Sequence, residues 1–130
     1  MIRETIVVTA SWIGTHHHPS MLRDQRHNGH PHEHQFSVRV TVQQDMTERG
    51  TWDGAQLRER VQLWCLDHLT GPTDASLERM ARQLLDQLRV WYGRDRGLSA
   101  EIGDGTGLAA TCSLPYVGRP GRPPRAEVPV

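Results

Sequence analysis

From Gln35 to Gln43 the chain alternates apolar and polar residues without a break. Phe36, Val38, Val40 and Val42 share one parity, and Gln35, Ser37, Arg39, Thr41 and Gln43 share the other. Successive side chains of a strand point to opposite faces, so this segment is a strand with one dry and one wet face. Such a strand needs antiparallel neighbours and a cover over its apolar side. Residues 5–14 supply a neighbour. Ile6, Val8, Ala10 and Trp12 alternate there with Val7, Thr9, Ser11 and Ile13, and β-branched residues dominate its start. The two strands are expected over 5–14 and 32–43, with a loop rich in His, Arg, Asn and Gly between them.

The cover comes next. Residues 54–68 fit an amphipathic helix, with Leu57, Val61, Trp64, Cys65 and His68 on one stripe and Asp53 as N-cap. Gly71-Pro72 stops it. A second helix begins with Thr73 or Asp74 as cap. It carries the stripe Leu77, Met80, Ala81, Leu84, Leu85, Leu88 and Trp91, which Gly93 to Gly97 breaks. A closing hairpin follows. Leu98, Ala100 and Ile102 alternate before Asp104-Gly105-Thr106-Gly107, and Leu108, Ala110, Cys112 and Leu114 alternate after it. The order strand-strand-helix-helix-strand-strand predicts an α+β fold: a four-stranded antiparallel sheet with two helices on one face. One domain is expected over 1–114. Residues 115–130, rich in Pro, Gly and Arg, read as a tail without its own core.

Composition excludes several functions. The formal net charge of the 130 residues is zero, so no electrostatic feature points to nucleic acid or an anionic membrane. No apolar run is long enough for a transmembrane helix. Met1-Ile2-Arg3-Glu4 lacks the apolar stretch of a signal peptide, so a soluble cytoplasmic protein is expected. Cys65 and Cys112 form neither a disulfide framework nor a Cys-x-x-Cys pair. All 15 basic residues are Arg, which removes every lysine-based mechanism.

Histidine is the anomaly. The chain has eight, and seven lie between His16 and His34. His32 and His34 share a strand face with Phe36 and Val38. His16 has the parity of Trp12 and Ala10. If the two strands form an antiparallel hairpin, His16, His32 and His34 converge at one end of the sheet on its covered face. Three imidazoles with an open position are the ligand set of a catalytic zinc site. The same ligands suit Fe, Ni or Cu, and a bulge would substitute His17 or His18 for His16. Asp67 and His68 close the first helix. Such a pair serves as a general acid/base, or His68 alone serves as a helix cap.

These residues resemble the 6-pyruvoyltetrahydropterin synthase and 6-carboxytetrahydropterin synthase family. Trp12-Ile13-Gly14-Thr15-His16 is similar to that family's aromatic-x-Ala-Ala-His strand end. His32-Glu33-His34-Gln35-Phe36 is similar to its His-Gly-His-x-aromatic strand start, and Leu66-Asp67-His68 matches its Leu-Asp-His motif. Gly50 to Leu57 looks like a shortened form of its first helix start, and Ala75 to Ala81 like its second. The resemblance covers residues 5–112. It implies the tunnelling fold, zinc on His16, His32 and His34, acid/base catalysis by Asp67 and His68, and a ring-shaped homo-oligomer, often a hexamer. It also implies a substrate-binding carboxylate, matched by Asp104 by strand parity and less well by Glu101. The family's catalytic cysteine, about four residues before His-x-His, is absent: Arg26-His27-Asn28-Gly29-His30 stands there, and His27 or His30 would fill its role. Glu33 replaces the glycine between the two ligands and is expected to crowd the metal end of the strand. The resemblance implies a zinc-dependent lyase-like enzyme acting on the side chain of a pterin-like small molecule. The alternative is a non-catalytic metal-binding paralogue acting as a binding or assembly subunit.

Overall fold

The computed structural model describes residues 3–16, 32–45, 53–71, 75–93 and 96–117. Strand β1 (Arg3–His16) pairs antiparallel with β2 (His32–Asp45) along its whole length, from Arg3↔Asp45 to His16↔His32. Both strands outrun the expected 5–14 and 32–43, because pairing continues where the apolar alternation has stopped. After helices α1 (Gly54–His68) and α2 (Leu77–Tyr92), β3 (Gly97–Gly103) and β4 (Ala109–Leu114) complete a sheet of order β1-β2-β3-β4. The β-β-α-α-β-β architecture is the one its sequence predicts.

Parity decides which face is covered. Val8, Ala10, Trp12, Phe36, Val38, Val40, Val42, Leu98, Ala100 and Ile102 are buried, while Thr9, Ser11, Ser37 and Arg39 between them are exposed. The helices close the dry face. Leu57, Val61 and Cys65 of α1 are buried, as are Leu77, Met80, Ala81, Leu84, Leu85 and Leu88 of α2. Helix α1 packs on β1, and α2 packs on β3 and β4.

The caps follow local chemistry. The Asp53 carboxylate accepts from the Gln56 amide at 2.8 Å. Helix α2 is capped by Ser76, whose hydroxyl accepts from the Arg79 amide; the expected caps Thr73 and Asp74 lie outside the described residues. Gly93, at φ 88°, ends α2 in a conformation that favours glycine.

Helix α1 also satisfies the free edge of β1. Arg58 Nε donates to the Thr9 carbonyl at 2.9 Å and Gln62 Nε2 to the Ser11 carbonyl at 2.8 Å. Beyond the helix end, the Thr15 amide donates to the Thr70 carbonyl at 2.9 Å. The buried Trp12 indole donates to the Leu69 carbonyl at 3.1 Å. These bonds cover edge-strand groups that would otherwise offer a template for pairing, and they fix the last turn of α1 against the end of β1. In the closing hairpin, Leu108 is 66% exposed and precedes β4 rather than joining its buried row. Gly105 and Gly107, at φ 82° and 100°, take the turn before it.

Candidate functional site

The last apolar pair across β1 and β2 is Trp12↔Phe36, whose rings stack at 5.5 Å. Two steps further Gly14 faces His34, and two steps further again His16 faces His32. The backbone register therefore carries the row of Trp12 and Phe36 on through positions 14 and 34 to positions 16 and 32, at one end of the sheet. His34 is half-buried, with its ring tilted 5.7 Å from Phe36. The side chains of His16 and His32 lie outside the described residues, as do His17, His18, His27 and His30. Among the described residues no three His, Cys, Asp or Glu side chains form a metal-binding group.

Gly14 is fixed by close packing. A Cβ there would come 2.9 Å from the Leu69 carbonyl oxygen and 3.0 Å from the Phe36 ring. Position 14 thus carries no side chain opposite His34.

Strand β2 overhangs β3. Their last pair is Ser37↔Gly103, where the chain turns away. The next residue, Asp104, keeps the parity of Ala100 and Ile102 and is buried beside the exposed end of β2. One of its oxygens, Oδ1, accepts from the Thr106 amide at 2.9 Å and from the Thr106 hydroxyl at 2.6 Å. Burial pushes this carboxyl up. The Thr106 hydroxyl and amide, the nearby His34 and its own amide outweigh that push and hold it below the usual carboxylate range. A cleft lies between this turn and β2, lined by Glu33, His34, Gln35, Phe36, Asp104 and Thr106. The His34 imidazole beside the Asp104 carboxylate offers donor types that a borderline divalent cation takes.

The ionised Asp104 makes stability depend on acid. Its native value lies below its unfolded one. Its contribution is therefore complete above the ordinary carboxylate range and drains away as pH falls through the lowered value. Asp104→Asn is expected to flatten the acid limb of a melting-temperature profile between roughly pH 5 and 2. An unchanged limb would show that Asp104 does not gain stability by staying ionised.

Other expected residues fall elsewhere. Glu101 has the opposite parity, faces Arg39 and Thr111 across the sheet, and accepts from the Thr111 hydroxyl at 3.5 Å. It does not share a face with His34. Glu33 is exposed and opposite Thr15, so it borders the cleft from the open face and does not crowd the His34 face. Cys65 is buried in the core, where desolvation pushes its thiol up to about 12, so it is no nucleophile.

Asp67 and His68 are both exposed. The expectation that His68 faces the sheet is not met. The apolar rows end at Trp12 and Phe36, and the last turn of α1 is already level with Trp12 and Thr15. The imidazole instead folds back along its own helix. It stacks on the Trp64 indole at 4.7 Å and 17°, with Nδ1 2.9 Å from the Trp64 carbonyl. Asp67 makes no hydrogen bond to it. Sequence reading missed Trp64 and Thr106, although the i, i+4 spacing of Trp64 and His68 is a helix-surface contact in its own right.

No family model matches this chain, and no curated protein sequence matches it. Solved structures do. The 6-pyruvoyl tetrahydropterin synthase of Caenorhabditis elegans aligns over 92% of this chain and 98% of its own, with a TM-score of 0.59 and 16% identity. The 6-pyruvoyltetrahydropterin synthase of Plasmodium vivax, solved with a catalytic glutamate substituted, aligns over 89% and 100%, with a TM-score of 0.66 and 12% identity. An uncharacterized protein of Wolinella succinogenes aligns over 86% and 98%, with a TM-score of 0.58 and 15% identity. The chain thus has the fold of the two synthases, which align over 92% and 89% of it.

Proposed function

We propose that this chain is a zinc-dependent, lyase-like enzyme acting on the side chain of a pterin-like small molecule. The observation that supports the reading is the backbone register, with His16 paired to His32 and Gly14 to His34, next to the buried Asp104. The three imidazoles would hold the metal. Zinc would polarise a carbonyl or hydroxyl oxygen of the substrate. The Asp104 carboxylate, held by Thr106, would accept from a ring N–H, a charge-assisted bond suited to a bicyclic heterocycle. His68, with Asp67, would move protons. A thiol has no place in the cleft, so His27 or His30 would take that role. The resemblance further supports a cytoplasmic, ring-shaped homo-oligomer such as a hexamer, with no nucleic-acid or membrane partner. No described helix is long and apolar enough to cross a membrane.

Elemental analysis of untagged protein tests the metal. About one zinc per chain is expected, falling to near zero in His32→Ala/His34→Ala. A wild-type protein that stays metal-free after zinc is supplied overturns the metalloenzyme reading. The absence of a thiol from the cleft favours a second reading, a metal-binding paralogue without catalysis. That reading predicts stoichiometric zinc but no conversion of reduced pterins by mass spectrometry.

A further inference from the structure

We infer that Trp64 is the positioning residue for His68, holding the imidazole by its face and fixing the proton on Nδ1 so that Nε2 presents its lone pair outward. This deepens the proposed acid/base role of His68 and rests on it.

The tautomer follows from the partner. A carbonyl oxygen only accepts, so at 2.9 Å the Nδ1 atom is the donor to the Trp64 carbonyl. A neutral imidazole carries one ring proton, which leaves Nε2 as the basic atom. Protonation adds its hydrogen at Nε2 and leaves the Nδ1 bond intact. The ring can therefore pass between its two charge states without turning.

The indole supplies what the carbonyl alone lacks. An exposed histidine samples several rotamers, and that freedom opposes any single orientation. Trp64 is half-buried and thus anchored, and it meets the imidazole nearly parallel, at 17° and 4.7 Å. Stacking at that spacing restricts rotation about the Cβ–Cγ bond, which would tilt the imidazole out of the stack, and the i, i+4 arrangement brings the two rings together. Asp67 does not serve instead. Adjacent helical residues project about 100° apart, and His68 forms its bonds with Trp64 alone among the described residues.

Selective 15N-histidine labelling and NMR of the purified chain read the tautomer directly, with His68 assigned by its loss in His68→Gln. In its neutral form His68 is expected to show a protonated Nδ1 and an unprotonated Nε2. In Trp64→Leu, which fills the half-buried site without an aromatic face, the Nδ1–H fraction should fall at least twofold. Trp64→Phe should restore it. A wild-type His68 carrying its proton on Nε2 overturns the inference, whether or not Trp64→Leu folds. An unchanged tautomer in a folded Trp64→Leu overturns it as well. Neither result depends on zinc or substrate, so failure here is distinct from failure of the metal and turnover tests.

Discussion

Replacing Phe36 with alanine is expected to destabilise the fold by about 3–5 kcal/mol, the range for truncating a fully buried aromatic. Phe36 has no exposed surface, stacks on Trp12, and packs so closely on Gly14 that a Cβ there would come 3.0 Å from its ring. It belongs to the last apolar pair before the histidine rows, and His34 leans on it. The cavity left by truncation would open where the core meets the cleft. Stability and zinc affinity should therefore fall together. Leu84→Ala, in α2 and equally buried, provides the contrast. It should cost about 2–5 kcal/mol and leave zinc affinity unchanged. Denaturant unfolding and competition with a zinc chelator measure both quantities. A Phe36→Ala protein that loses less than about 1 kcal/mol, or one whose zinc affinity matches that of Leu84→Ala, would show that Phe36 does not join core to site.

Most of this geometry is legible in the sequence because a strand has a fixed period of two. The parity of His16, Trp12, Phe36 and His34 could be read from residue numbers alone, and a hairpin then aligns them. Asp104 is legible for the same reason, since it continues the row of Ala100 and Ile102. What parity does not contain is where a covered row ends. The helical spacing of Leu57, Val61 and Cys65 extends naturally to His68, yet the sheet beneath stops offering apolar partners at Trp12 and Phe36. The ring turns back onto Trp64. That outcome depends on how far α1 advances along β1, which the Trp12 and Thr15 bonds to Leu69 and Thr70 determine. Loops were harder still. Thr106 bonds Asp104 through a turn whose shape depends on Gly105 and Gly107, and Leu108 leaves the alternating row because that turn is one residue longer than its motif. Proximity in sequence does not place Glu33: next to two candidate ligands, it faces the other side of the sheet.

The largest functional effect is expected at His68. General acid/base catalysis by a positioned side chain contributes about 10²–10⁴-fold, so His68→Ala should lower turnover of the zinc-loaded enzyme by that factor. The exposure of His68 makes the experiment clean. The side chain leaves no cavity when truncated, and its bonds are to one neighbouring turn of the same helix. Surface changes of this kind alter stability by about 0.5 kcal/mol or less. Zinc content should also stay at the wild-type level, because His68 is not among the three ligand positions. His68→Gln sharpens the result: its amide can still hydrogen-bond, but it has no basic nitrogen, so turnover should remain low. A structural cap behaves differently. If His68 serves only the end of α1, alanine should reduce stability by about 0.5–1 kcal/mol and turnover should survive in the folded fraction. Unfolding curves and single-turnover rates on one preparation separate the two. Full turnover in a stable His68→Ala protein would remove His68 from the chemistry and leave the proton shuttle to a residue of the cleft itself.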